Sequence, residues 1–327
     1  MTDNRAIRFH RTGGPEVLQW EHVDVPAPGP NEVRVRHHAI GLNYVDTYFR
    51  TGLYPASLPS GIGKEAAGVV EAVGSDVSEF VPGDRVAYAG GPLGAYAQSR
   101  VIPAEYLVRL PDTVSFEQAA AMMLKGMTAQ YLLRRTYRVQ RGETILVHAA
   151  AGGVGLLLCQ WAKVLGVTVI GTVGSEEKAA LAHANGCTHP VVYTRENFVQ
   201  RVREITQNEG VSVVYDSVGK DTFYGSLDCL KPLGMMVLFG ASSGPVEAFD
   251  CSLLAQKGSL FLTRPSLFTY VAKRSDLLEA ARELFEVVTS GAVTVSVQQR
   301  YALADAVNAH RDLEARRTTG ATLLLPA

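Results

Sequence analysis

Cysteine is scarce in this 327-residue chain: four residues, at 159, 187, 229 and 251, all well separated. That spacing excludes a local CxxC zinc or redox site, and it suits a compartment that keeps thiols reduced. Charge of one sign is also without excess. The 31 Lys and Arg against 32 Asp and Glu leave a net charge of -1, so nothing basic draws nucleic acid or an anionic membrane. The opening MTDNRAIRFH holds no apolar run of the length a secretory signal needs, which reads as a cytoplasmic protein. Long apolar runs are missing with one exception. Thr144 to Ala162 lacks Asp, Glu, Lys and Arg and approaches the length of a bilayer span, about 20 residues. Three glycines at its centre, with His148 before them and Gln160 after, break the period, and a second strand–helix pattern follows. No membrane span is expected.

What the stretch holds instead is a strand, a glycine turn, a helix and a strand. Thr144 to Val147 is a short apolar, β-branched run, and it enters a turn with Gly152, Gly153 and Gly155. Val154, Leu157, Leu158, Trp161 and Leu165 then fall on one helical face, and Val167 to Val173 reads as a second buried strand. Ala150, Gly152 and Gly155 occupy the positions of GxGxxG with alanine in the first. The pattern alone would also suit a turn that only packs a helix on a strand. Its placement inside a βαβ unit favours a dinucleotide pyrophosphate at the helix start, where free N–H groups point outward.

The alternation continues through strands at Pro190–Tyr193, Val211–Asp216, Met235–Phe239 and Leu260–Thr263, with helices at Phe198–Thr206 and Thr222–Leu230. This predicts a doubly wound parallel sheet of Rossmann type in an α/β protein. Ser217, Gly219, Gly240, Ala241 and Arg264 fall at the carboxyl ends of its strands, where ligands bind. Residues 1–125 read differently. Short strands at Glu32–Ile40, Ala67–Val73, Arg85–Ala89 and Ala95–Val101 are separated by Gly/Pro turns, a barrel or sandwich pattern. Helices are expected at Ser115–Leu124 and Thr128–Tyr137, and near the end at Ser275–Thr289 and Leu303–Arg316, before a last strand at Thr322–Leu325. The expected layout is a nucleotide domain, residues 126–266, inserted in a β-rich domain of residues 1–125 and 267–327.

One further absence concerns the cofactor. NAD sites place Asp or Glu at the end of the second strand, about 20 residues past the glycine turn, against the ribose hydroxyls. Here the position reads Thr172, Val173, Gly174, Ser175. With no carboxylate to repel a 2′-phosphate, Ser175 as donor and Lys178 as charge predict NADPH. The competing reading leaves Lys178 as a solvated residue beside Glu176 and Glu177.

The run Gly61-Ile62-Gly63-Lys64-Glu65-Ala66-Ala67-Gly68 resembles the medium-chain dehydrogenase/reductase superfamily. Its zinc alcohol dehydrogenases carry Gly-His-Glu there, with the His a zinc ligand, and a cysteine ligand where this chain has Asn43 in GLNYVD. Lys64 and Asn43 depart from that pattern and the four-cysteine zinc lobe has no counterpart, so no metal is expected. Within the superfamily the chain is similar, over essentially its full length, to the zinc-independent quinone oxidoreductases of the zeta-crystallin-like branch. HRTGGPEVL, GLNYVDTYFRTGLYP, LPSGIGKEAAGVV, LKGMTAQYLLRRTY, HAAAGGVG, VVYDSVGKDT and KGSLFLTRPSL carry the similarity. The resemblance implies a GroES-like catalytic domain around the Rossmann insert and a homodimer. It implies a nicotinamide and substrate pocket at Asn43, Tyr48, Tyr54, Lys125 and Thr128, with Tyr131 alongside. Dinucleotide contacts are implied at Gly153, Val154, Gly174, Ser175, Lys178 and Tyr193, and further along at Phe239, Gly240, Arg264, Ser266 and Arg316; Ser217 is added from its strand end. Tyr193 also makes sense unaided, as a ring able to cover an adenine.

The expected reaction is metal- and flavin-free transfer of reducing equivalents from NADPH to a quinone, with Asn43 and a tyrosine hydroxyl bonding the developing oxyanion. No residue must be a general acid. His37 and His38 sit in an alternating strand and His148 on a buried one, which places all three outside the chemistry. Three alternatives stay open: reduction of an enone or alkenal in the same metal-free pocket, a zinc alcohol dehydrogenase, which metal analysis would expose, and a non-catalytic, NADPH-responsive role as an RNA-binding or crystallin-like protein.

Overall fold

A computed structural model describes residues 4–326. The chain divides into two compact units. Among the described residues, one holds those up to Lys125 with Lys273–Phe285 and those from Val295 on; the other is Gly126–Ala272 with Glu286–Thr294. Residues 267–272 and Glu286–Thr294 thus lie with the nucleotide unit. Tyr270 stacks on Tyr131 at 4.4 Å between ring centroids, and the Gln160 side chain bonds both the N–H and the carbonyl of Thr294.

The second unit is a six-stranded sheet in the order His189–Val192, Thr168–Val173, Thr144–Val147, Val211–Asp216, Leu230–Leu238, Phe261–Thr263. Every pairing is parallel. The sequence order reverses on either side of Thr144–Val147, so the crevice beyond the carboxyl ends opens where that strand meets Val211–Asp216. Leu146, Ile170, Val191, Val214 and Met236 are buried on these strands. They form near-continuous apolar runs because helices cover such a sheet on both faces.

In the first unit the long strand Glu32–Leu42 pairs antiparallel with Glu65–Val73, Ser99–Pro103 and Ala321–Leu325. A smaller three-stranded sheet joins Arg5–Phe9 to Gln19–His22 and Ser60–Gly61. Val33, Val35, Ile62, Val86 and Tyr96 fill its core. The two helices expected around Gly126 are one, Phe116–Tyr131, ending in a π turn at Leu132–Thr136. Ala119 to Met123, Met127 and Ala129 are all buried, so burial on every side carries the helix through the glycine.

Candidate active site

The nucleotide end is built from backbone. Gly152 caps the helix Gly153–Val164 with no side chain. A Cβ on Gly155 would stand 2.3 Å from the Ala149 carbonyl oxygen and 2.7 Å from that of Ala150, so only glycine lets the helix start, with Val154, close on the turn. Ala149 takes a positive φ of 55° to make that turn. Gly240 is needed in the same way, since a Cβ there would meet the Ser217 carbonyl at 2.5 Å. The buried Asp216 fixes the Ser217 loop: its Oδ1 accepts from Val218 and Gly219 N–H at 2.7 and 3.0 Å, and its Oδ2 from the Thr222 and Ser226 hydroxyls. Phe239 and Gly240 in turn donate to the Asp216 carbonyl. His148 lies behind this, bonded to Thr172 and Ser226 and held below its usual pKa by burial. Arg264 donates to the Leu238 carbonyl at 2.9 Å, and Ser266 caps the short helix Leu267–Tyr270.

At the end of the second strand the Tyr193 hydroxyl stands where a Cβ of Gly174 would be 2.9 Å away, with its ring 43% exposed. Ser175 caps the helix Glu176–Ala184 and accepts from the Lys178 N–H at 3.3 Å. The Ser175 hydroxyl also bonds Glu177, whose carboxyl it pulls below the usual range. Glu176 pairs with Arg195 at 2.7 Å. Glu176 therefore has a partner of its own, while Glu177 holds the single Ser175 hydroxyl hydrogen, so a 2′-phosphate fits here where it takes that hydrogen over from Glu177.

In the first unit, Asn43 is the N-cap of the helix Tyr44–Thr51. Tyr48 on this helix meets Tyr54 edge-on at 5.2 Å, and the Tyr54 N–H donates to the Tyr48 carbonyl. The Asn43 side chain is not placed as the sequence suggested. Its Nδ2 donates to Glu65 Oε2 at 2.7 Å and to the Gly41 carbonyl at 3.3 Å, so both amide hydrogens are taken and neither serves an oxyanion. Glu65 is the hub, fully buried, and it also accepts from Leu124 N–H at 2.7 Å and Lys125 Nζ at 3.0 Å. Gly41 makes room for it: a Cβ there would lie 2.1 Å from Glu65 Oε2.

Asp46 accepts from Asn43 N–H at 2.9 Å and from the Tyr96 hydroxyl at 2.8 Å, both at Oδ2. Its Oδ1 is buried with no partner among the described residues, and burial pushes the carboxyl up to about 7. Tyr96 leads on to His310, and His310 to Arg50. Thr128 is buried on the long helix, Tyr131 is occupied by its stack on Tyr270, and Arg316 sits at a positive φ of 58° past the helix Ala306–Glu314. Glu65, Asp46 and Asp216 were not singled out from the sequence. The signal available for Glu65 was its place after Lys64 at the head of the run EAAGVV, where the zinc alcohol dehydrogenases also carry Glu.

Residues 153–286 match the zinc-binding dehydrogenase family and residues 29–112 the alcohol dehydrogenase GroES-like domain. Fold and site together define a medium-chain dehydrogenase/reductase. The chain belongs to the quinone oxidoreductase family of that superfamily. It is 57% identical to the quinone oxidoreductase of Pseudomonas aeruginosa, over 98% of this chain and 99% of that one. The structure of the Escherichia coli quinone oxidoreductase complexed with NADPH superposes with a TM-score of 0.97 at 52% identity, over 98% and 100% of the two chains. A 2-haloacrylate reductase of a Burkholderia species is 46% identical, over 98% of each. Zinc does not fit the residues here. Asn43 turns N–H donors inward, the Lys64 ammonium donates to the Gly91 carbonyl and lies over the Phe49 ring, and Glu65 is taken up by three donors. Among the described residues no cluster of three or more His, Cys, Asp or Glu could hold a metal.

Proposed function

We propose that this chain reduces quinones with NADPH, by direct transfer and without a metal. The observation that carries the substrate class is the donor set around Asn43, Lys64 and Glu65. Amide and ammonium groups occupy the positions where a zinc dehydrogenase would hold its metal, and such a site suits an acceptor that is already electrophilic, as a quinone is. NADPH supplies the hydride when bound. Gly152, Gly153 and Gly155 would hold its pyrophosphate, Tyr193 its adenine, and Ser175 and Lys178 its 2′-phosphate. The Ser217 loop, Gly240, Arg264 and Ser266 complete that role in the nucleotide unit. Asn43, Tyr48, Tyr54, Lys125 and Thr128 serve the nicotinamide and substrate, with Tyr131 and Arg316 at the margins. A second reading, an enone or haloacrylate acceptor, is favoured by the 46% identical 2-haloacrylate reductase, because a conjugated alkene has the same electrophilic character.

The protein acts in this reading as a cytoplasmic homodimer. All four cysteines are free thiols, three of them buried, which suits a reducing compartment; the pairing rests on family resemblance. No helix among the described residues is long and apolar enough to cross a membrane. The test is NADPH oxidation with 1,2- and 1,4-quinones after dialysis against chelator, with NADH, an alkenal and 2-chloroacrylate for comparison. Quinone turnover preferring NADPH is expected. Activity lost to chelator, or turnover of the alkenes alone, overturns the proposal.

A further inference from the structure

Reducing a quinone to a hydroquinone takes a hydride and a proton, and the source of the proton is unassigned. The donor census of the first unit narrows the choice. Asn43 has no N–H left to give. Lys125 does: an ammonium carries three N–H donors, and among the described residues its only hydrogen-bond partner is Glu65, at 3.0 Å. The Lys125 side chain is 6% exposed, and a buried ammonium with two unpaired donors is a costly arrangement unless something else takes them. Glu65 supplies the counter-charge beside it, itself steadied by Leu124 N–H and Asn43.

We infer that Lys125 is the catalytic proton donor, with Glu65 as its positioning residue. This rests on the quinone-reductase reading above. The free N–H groups hydrogen-bond the quinone carbonyl oxygen. The quinone gains two electrons and one hydrogen as hydride and becomes a hydroquinone monoanion. An Nζ–H bond then breaks, an O–H bond forms, and hydroquinone leaves. The neutral amine takes a proton back from water before the next turnover. A hydroquinone oxygen is a phenol, and phenols and alkylammonium ions are acids of comparable strength, so the transfer is close to balanced.

The test compares Lys125→Met and Lys125→Arg with the wild type on two acceptors, 1,4-benzoquinone and tetrachloro-1,4-benzoquinone. The chlorinated hydroquinone is a much stronger acid and needs little help from a donor. Lys125→Met should lower kcat on benzoquinone by about 100-fold or more and on the chlorinated quinone far less, both read at saturating NADPH so that any loss of its nicotinamide contact is common to the two acceptors. Lys125→Arg should keep KM and lose kcat, because a guanidinium bonds the oxygen yet does not release a proton. Equal losses on the two quinones, or losses explained by weaker NADPH binding, overturn the inference and leave Lys125 a cofactor contact; full activity overturns it outright. If neither variant folds, wild type carries the test. A normal solvent isotope effect on benzoquinone that vanishes on the chlorinated quinone is expected, and its absence from both refutes the donor. A wild type that reduces neither quinone refutes the functional reading instead.

Discussion

The buried titratable groups of the first unit make its stability depend on pH in a way that two substitutions should reshape in opposite directions. His37 and His310 are fully buried, and burial lowers each from 6.5 to about 3. Asp46 goes the other way, from 3.8 to about 7. The histidine contributions are present above 6.5 and lost as pH falls towards 3. The Asp46 contribution is present below 3.8 and lost as pH rises through 7. Between these limits the unfolded chain holds two protons on the histidines and the folded one holds a single proton on Asp46. The net difference is one, so stability rises with pH by about 1.4 kcal/mol per unit from these groups. His310→Gln removes one proton from the unfolded side while keeping an acceptor for Arg50 and a donor for Tyr96, and should flatten that contribution. Asp46→Asn keeps an acceptor toward Asn43 N–H and Tyr96, and should raise it to roughly 2.7 kcal/mol per unit. The Tyr96 hydroxyl bonds both groups, so each slope is read from its own single variant against the wild type. His38 and His148, also lowered by burial, are common to all three proteins and drop out of the comparison. Urea unfolding of the three between about pH 4.5 and 6.5 reads the slopes. Three parallel lines would refute the assignment of these shifts.

Two further substitutions address the cofactor end. Lys178→Ala should weaken NADPH by roughly tenfold or more, the worth of one charge-assisted hydrogen bond, and leave NADH within about twofold; equal losses in fluorescence titrations with the two nucleotides would return Lys178 to the solvated face. Gly155→Ala puts a methyl 2.3 Å from the Ala149 carbonyl and should cost about 1–3 kcal/mol in urea unfolding along with NADPH affinity. Wild-type affinity would show that the helix start does not meet the pyrophosphate.

Much of the nucleotide unit could be read from the chain because its strands are short apolar runs whose edges are marked by polar or glycine residues. Val211–Asp216 has the same bounds in both readings, and the missing acid at Gly174 and Ser175 needed only a position count. The long helix through Gly126 was illegible for the opposite reason: residues buried on every side leave no polar face to show that the period continues. The active-site charges could not be read at all. Whether Asn43 offers its amide to a ligand depends on Glu65, and Glu65 reaches it because the strand beginning there pairs with Glu32–Leu42 and Gly41 has no Cβ in the way. The same contact decides the chemistry. At the positions where a zinc dehydrogenase would place cysteine and histidine, this chain has an amide and an ammonium, and the neighbouring carboxylate is turned to hold the amide and a second ammonium. A set of donors stands where a Lewis acid would have been, which suits an acceptor already conjugated and leaves the proton to the donor that the carboxylate holds only in part.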